Sequence, residues 1–141
     1  MGKKLYVIAG EASGDLHGGN LVKALLREDP SLSIRAWGGD RMQAAGADVV
    51  KHYRDLAFMG FTQVLLNLRT VLRNIKICKD DIASFKPDAI ILIDYPGFNL
   101  RIAEFAHERG IPVFYYISPQ VWAWKAGRVK TIKRVVDRMF V

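Results

Sequence analysis

The stretch Asp88 to Asn99, DAIILIDYPGFN, constrains this chain more than any other. Ala89 to Ile93 is a continuous apolar run rich in isoleucine. Such a run suits a strand buried on both faces of a parallel sheet. Lys86-Pro87 ahead of it is a breaker, so the strand starts cleanly. The run stops at Asp94, Tyr95-Pro96-Gly97 forces a turn, and Asn99 reads as the cap of a following helix. A carboxylate at the carboxyl end of a central strand stands where open α/β sheets bind ligands. A short polar residue also serves such a place by satisfying turn amides, and this stretch alone leaves both readings open.

The segments around it supply the rest of a parallel sheet. Lys4 to Ala9 reads as the first strand, and Gly10-Glu11-Ala12-Ser13-Gly14-Asp15 as a glycine-rich turn. A helix follows, with Leu16, Leu21, Val22, Leu25 and Leu26 as its apolar residues. Strand, glycine turn, helix is the layout of a nucleotide or phosphate site. Gly10, Gly14, Gly18 and Gly19 are expected to let the backbone approach a ligand closely. The spacing fits neither a dinucleotide fingerprint nor a Walker loop. Glu11 and Asp15 would repel a naked phosphate and suit sugar hydroxyls better, as acceptors. Ser33 to Trp37, Arg41 to Ala45 and Ala47 to Val50 then read as strand, short helix and strand. The order β-α-β-α-β fits right-handed parallel crossovers.

Leu56 to Phe61 is apolar without a polar partner face, and a helix is expected from about Thr62 to Ser84. Val64, Leu65, Leu68, Val71, Leu72, Ile75, Cys78 and Ile82 recur on it at three- and four-residue spacing. Arg69, Arg73, Lys76 and Lys79 form its polar side. An ordinary sheet-covering helix explains most of this pattern, but not Phe58, Met59, Phe61 and Leu66 set beside cations. Apolar residues flanked by lysine and arginine mark a surface that rests on an anionic bilayer. Beyond the central strand, Leu100 to Arg109 reads as a helix and Val113 to Ile117 as a strand. Trp122 and Trp124 either pack under the sheet or line a cleft. A basic helix, Ala126 to Val136, comes next. Met139 to Val141 begins another apolar strand, so the chain is expected to be one domain of a longer protein.

A length of 141 residues with half of them hydrophobic suits one domain with a real core. The lone Cys78 offers no disulfide and no metal-site spacing, which points to a cytosolic setting. No apolar run is long enough to span a bilayer and no signal peptide is visible. The formal charge of +7 implies attraction to polyanions: nucleic acid, phosphorylated ligands or an anionic membrane.

Five stretches agree with one family. AGEASGDLHG (Ala9 to Gly18), GGDRMQAAG (Gly38 to Gly46), LAFMGFTQVL (Leu56 to Leu65), IDYPGFN (Ile93 to Asn99) and SPQVWAWKAGRV (Ser118 to Val129) together resemble the lipid-A-disaccharide synthases. The resemblance covers the whole chain and rests most on IDYPGFN and SPQVWAW. It implies an α/β fold: a Rossmann-like parallel sheet with helices on both faces, the N-terminal half of a GT-B glycosyltransferase. Residues 1–141 would be the acceptor-side domain, with the UDP-donor domain absent from this chain.

The implied reaction joins UDP-2,3-diacylglucosamine to 2,3-diacylglucosamine 1-phosphate with inversion and release of UDP. Asp94 matches the residue that the resemblance marks as general base. Gly10, Glu11, Ser13, Gly14, Asp15, Asn99, Ser118, Gln120 and Trp122 are the implied substrate-binding residues. Phe58, Met59, Phe61, Leu65, Leu66, Arg69 and Arg73 would meet acyl chains or membrane. No metal and no cofactor are implied. The setting would be cytoplasmic, peripheral on the inner face of the inner membrane, with room for a homodimer of the full-length form. Many members carry a second acid where Gly97 stands, and the expectation is that Gly97 serves the turn.

Receiver domains of two-component signalling also end a strand in an aspartate, with Pro-Gly shortly after. They need a lysine before proline on a later strand, where this chain has Ser118-Pro119. A Rossmann oxidoreductase lacks its fingerprint here. Another GT-B enzyme, such as the peptidoglycan N-acetylglucosamine transferase, would leave SPQVWAW unexplained. A nucleic-acid module would suit the basic last helix, yet no reader motif is present, so no nucleic acid is expected as partner.

Overall fold

Period-two alternation in the central strands sets the architecture. In the computed structural model, which describes residues 2–56, 68–116 and 133–140, strand β1 is Lys4–Ala9 and strand β4 is Ala89–Ile93. Tyr6, Ile8, Ile90 and Leu92 point into one core, and Val7, Ala9, Ile91 and Ile93 into another. A strand that is apolar on both faces must be covered on both, and helices do so.

Helix α1 (Ala12–Glu28) and helix α2 (Asp40–Ala45) pack on the face of Val7 and Ile93, through Val22 and Met42. Helix α3 (Leu68–Phe85) and helix α4 (Pro96–Glu108) pack on the face of Tyr6 and Leu92, through Ile75, Cys78, Ile82, Ile102 and Ala106. The remaining strands are β2 (Ser33–Gly38), β3 (Asp48–His52), β5 (Val113–Tyr116) and β6 (Arg138–Phe140). All five pairings are parallel, in the order β3-β2-β1-β4-β5-β6. This is the doubly wound order, and its direction reverses between β1 and β4. The carboxyl ends of those two strands, Ala9 and Ile93, are register partners. The crevice outside them is where such sheets place ligands.

Two terminations bear on the site. Lys86 adopts φ 54° after α3, and Pro87 then prevents the helix from continuing. Helix α4 starts at Pro96, three residues before the expected cap Asn99, because Pro96 supplies a φ ready for the first turn. Asn99 is therefore inside the helix and does not cap it. A partly buried polar tie fixes α3 on the sheet: Arg35 donates to Asp81 from Nε at 2.8 Å and from a terminal guanidinium nitrogen at 2.7 Å. The Tyr6 hydroxyl donates to the same carboxylate at 2.6 Å.

The apolar stripe of α3 changes its role along the helix. Ile75, Cys78 and Ile82 are buried over the sheet, whereas Leu68 is 57% and Leu72 46% exposed. The periodicity is continuous, but among the described residues it is the later positions of the stripe that are buried. Among the described residues no helix is long and apolar enough to cross a membrane.

Candidate functional site

At the end of β4 the backbone makes an unusual turn. Asp94 and Tyr95 both have positive φ, 47° and 55°, and neither is glycine. Left-handed backbone is disfavoured by contact between Cβ and the following carbonyl, at of order 1–3 kcal/mol per residue. Aspartate tolerates it; a bulky tyrosine is a genuine outlier. The surroundings hold the turn in place. The Asp94 carbonyl accepts from Asn99 Nδ2 at 2.8 Å and from the Tyr115 hydroxyl. Asn99 is wholly buried, and its Nδ2 also reaches the Ile93 carbonyl at 3.4 Å. Its Oδ1 is buried without a partner among the described residues.

This pinned turn presents the half-buried Asp94 at the β1/β4 switch point. Burial pushes the Asp94 carboxyl above its ordinary range, while the Tyr95 amide and the His17 charge pull the other way. His17 is exposed on α1. A carboxylate held partly desolvated in a crevice is equipped to accept a proton.

A cleft of about 440 Å³ opens beside the turn. Its walls are largely apolar, from Leu56, Leu68, Val71, Leu72, Tyr95 and Phe98, with Glu11 and Arg101 as its charged groups. Helices α1 and α4 both begin at this crevice, and among the described residues neither N-cap has a side-chain cap. Uncapped amides there leave donors available to an anion. Among the described residues no cluster of three or more His, Cys, Asp or Glu could hold a metal ion.

The expected site residues do not all gather in one place. Gly10 and Glu11 line the cleft, Asp94 stands at the end of β4 next to its wall residue Tyr95, and Ser13 is exposed in the first turn of α1. Asp15, Gly14 and Asn99 do not face it. Asp15 is 3% exposed and accepts three backbone amides: Gly39 at 2.8 Å, Met42 at 3.1 Å and Arg41 at 3.1 Å. Its carboxylate caps α2 from a distance, which corrects its reading as a sugar acceptor. Gly14 is buried inside α1, where an added Cβ would sit 3.2 Å from the Ala9 side chain. Gly18 likewise lets α1 close on Met42 and Ile93. These glycines serve helix-on-sheet packing, in place of the expected close approach to a ligand. Asn99 works behind the Asp94 turn.

Arg69 and Arg73 are exposed on α3 and make no ion pair among the described residues. Ser118, Gln120, Trp122, Phe58, Met59, Phe61, Leu65 and Leu66 lie outside the described residues. Gly97 is exposed on the cleft wall, and an added Cβ there would meet nothing within 4 Å. The turn does not require glycine at that position: Asp94 and Tyr95 carry the left-handed geometry. Tyr95 and Arg101 are cleft residues that sequence reasoning passed over.

A family model described as lipid-A-disaccharide synthetase matches residues 5–141. The lipid-A-disaccharide synthase of Geobacter metallireducens is 50% identical over 139 residues, spanning 99% of this chain and 36% of the relative. That of Syntrophus aciditrophicus is 48% identical with the same coverage, and that of Coxiella burnetii is 42% identical over 99% of this chain and 37% of its own length. The chain thus spans little more than a third of the curated relatives it matches. Among solved structures, UDP-GlcNAc 2-epimerase from Neisseria meningitidis, bound to UDP-GlcNAc, superposes with TM-score 0.62 at 13% identity, over 98% of this chain and 39% of that one. The S. aureus MnaA structure with UDP superposes with TM-score 0.66 at 16% identity, over 99% and 37%. At such identities the likeness is one of fold.

Proposed function

The chain belongs to the lipid-A-disaccharide synthetase family, and from that premise we propose that it is the acceptor-side, N-terminal domain of a GT-B glycosyltransferase of lipid A biosynthesis. The remaining two thirds would supply the UDP-donor domain. The substrates are UDP-2,3-diacylglucosamine and 2,3-diacylglucosamine 1-phosphate. One observation carries the reading: a partly desolvated carboxylate, Asp94, stands on a pinned left-handed turn at the switch point, directly before the aromatic wall of an apolar cleft.

In the proposed step, Asp94 accepts the proton of the acceptor's 6-hydroxyl as its oxygen attacks the donor's anomeric carbon. The bond from that carbon to the UDP oxygen breaks, UDP leaves with the electron pair, and the configuration inverts. The cleft suits an amphiphile. Leu68, Val71 and Leu72 offer apolar surface, while Arg101 and the open first turns of α1 and α4 offer cationic and N–H contacts to a phosphate.

The exposed Leu68 and Leu72 beside Arg69 and Arg73 support a peripheral position on an anionic membrane, at the cytoplasmic face of the inner membrane. Phe58, Met59, Phe61, Leu65 and Leu66 would extend that surface, and Ser118, Gln120 and Trp122 the substrate site. A homodimer of the full-length form belongs to the same proposal.

The test is turnover of these two substrates by the full-length protein in mixed micelles; its absence would remove the reading. Two variants refine it. Leu68→Glu with Leu72→Glu should weaken sedimentation with anionic liposomes by about tenfold or more. Because both residues are exposed, Tm should move little. A large loss of Tm with intact liposome binding would make them core residues of the full-length protein. Tyr115→Phe removes one of two donors that hold the Asp94 carbonyl. The expected result is a fall in kcat of about three- to tenfold with acceptor KM within about twofold. An unchanged kcat would show that Asn99 alone suffices to hold the turn.

A further inference from the structure

Tyr95 occupies a conformation that its side chain disfavours, at φ 55° and ψ 57°, where asparagine or glycine would be at ease. The chain around it is built for its ring. Gly10 follows the last residue of the neighbouring strand β1, and an added Cβ there would lie 2.3 Å, 2.5 Å and 2.6 Å from three Tyr95 ring atoms. Gly10 does not have positive φ, so close approach of the ring, not backbone conformation, is what requires glycine. On another side the ring meets Phe98, with centroids 5.7 Å apart and planes tilted by 30°. It is half-buried and forms part of the cleft wall together with Glu11.

We propose that Tyr95 is a substrate-contact residue: its ring is the platform on which the acceptor's sugar stacks, setting that sugar's hydroxyl against Asp94. This rests on the functional reading above and deepens it. A pyranose has an apolar face of C–H groups and a rim of hydroxyls. An aromatic ring in the cleft wall, with Glu11 in the same wall and Asp94 adjacent in the chain on the same turn, is complementary to both. Seating the ring in a bare notch at Gly10 fixes the platform before substrate arrives, which lowers the ordering cost of binding. The left-handed turn thereby has two products, a presented carboxylate and a presented ring, from adjacent residues.

The experiment is steady-state kinetics of the full-length enzyme, with acceptor varied at saturating UDP-sugar. Tyr95→Asn keeps the backbone conformation and removes the ring; Tyr95→Gly is a second variant compatible with the turn. Tyr95→Phe keeps the ring and removes the hydroxyl. The expected result is an acceptor KM raised about tenfold in Tyr95→Asn and Tyr95→Gly, and about twofold in Tyr95→Phe, with the UDP-sugar KM unmoved. Thermal melts confirm that the compared variants are folded. An unchanged acceptor KM in both ring-less variants overturns the proposal. Equal losses in Tyr95→Phe and Tyr95→Asn assign the effect to the hydroxyl and overturn it as well. Absence of turnover by the unmutated enzyme removes the functional reading and this proposal with it, an outcome distinct from both.

Discussion

Replacing Asp94 by asparagine in the full-length enzyme is expected to lower kcat by about 10²–10⁴-fold while Tm stays at or above that of the unmutated protein. The two halves of this result have one cause. Burial raises the Asp94 carboxyl above its unfolded value, against smaller opposing effects from the Tyr95 amide and His17. A group whose folded pKa is raised contributes stability that is fully present below the unfolded pKa. That stability is lost as pH rises through the folded pKa. At neutral pH the ionised Asp94 is thus an expense of the fold, and asparagine, which tolerates the left-handed turn, removes it. The same raised pKa places the acid limb of the kcat/KM profile above the ordinary carboxylate range, about 3.9 for aspartate. In the variant that limb should vanish from the residual rate. Near-normal turnover by Asp94→Asn would take the base role away from this residue. A fall in Tm of the same size as the loss of activity would make Asp94 a structural group.

The strands were the most legible part of the chain. Lys4–Ala9 and Ala89–Ile93 have the bounds read from the sequence, because a strand covered on both faces is apolar along its buried length, Tyr6–Ala9 and Ala89–Ile93 here. The end of such a run at Asp94 also marked the candidate site, since a charge cannot continue into that core. What lay hidden depends on partners distant in sequence or on backbone geometry without a sequence rule. Asp15 lies in a glycine-rich stretch that looks like a ligand loop, yet its three partners are 24 to 27 residues further on. Asn99 matches a helix cap in sequence, and only the left-handed Tyr95 moves the start of the helix back to Pro96. No propensity places a tyrosine in that conformation; the notch at Gly10 does. Along α3 the stripe cannot announce where it leaves the sheet, so Ile75 and Leu72 look alike in sequence and differ in burial.

Asp15→Ala is expected to give the opposite signature: a fall in Tm of about 10 °C, with the folded fraction turning over within a few-fold of normal. Oδ1 of Asp15 accepts from Gly39 and Met42, and Oδ2 from Arg41. These are amides at the N-terminus of α2, whose N-cap Gly39 has no side chain to satisfy them. Removing the carboxylate strands three backbone donors in a site where Asp15 itself is 3% exposed. Each buried donor left unsatisfied costs about 1–3 kcal/mol, and the charge lost from a helix N-terminus adds to that. Even the lower bound, about 3 kcal/mol, corresponds to roughly 10 °C in a domain of this size. Water cannot easily replace the carboxylate, because α1 closes on α2 there through Gly18 and Met42. Larger substitutions at Gly39 meet the same packing, since a Cβ on it would lie 2.7 Å from Asp15 Oδ2. The comparison with Asp94 separates two acids that look alike in sequence, each within a few residues of a glycine and each following a central strand. One stands on a left-handed turn at a strand end, partly desolvated; the other is saturated with backbone donors. An Asp15→Ala enzyme with unchanged Tm and a collapsed kcat or acceptor KM would return Asp15 to the substrate site and refute the capping assignment.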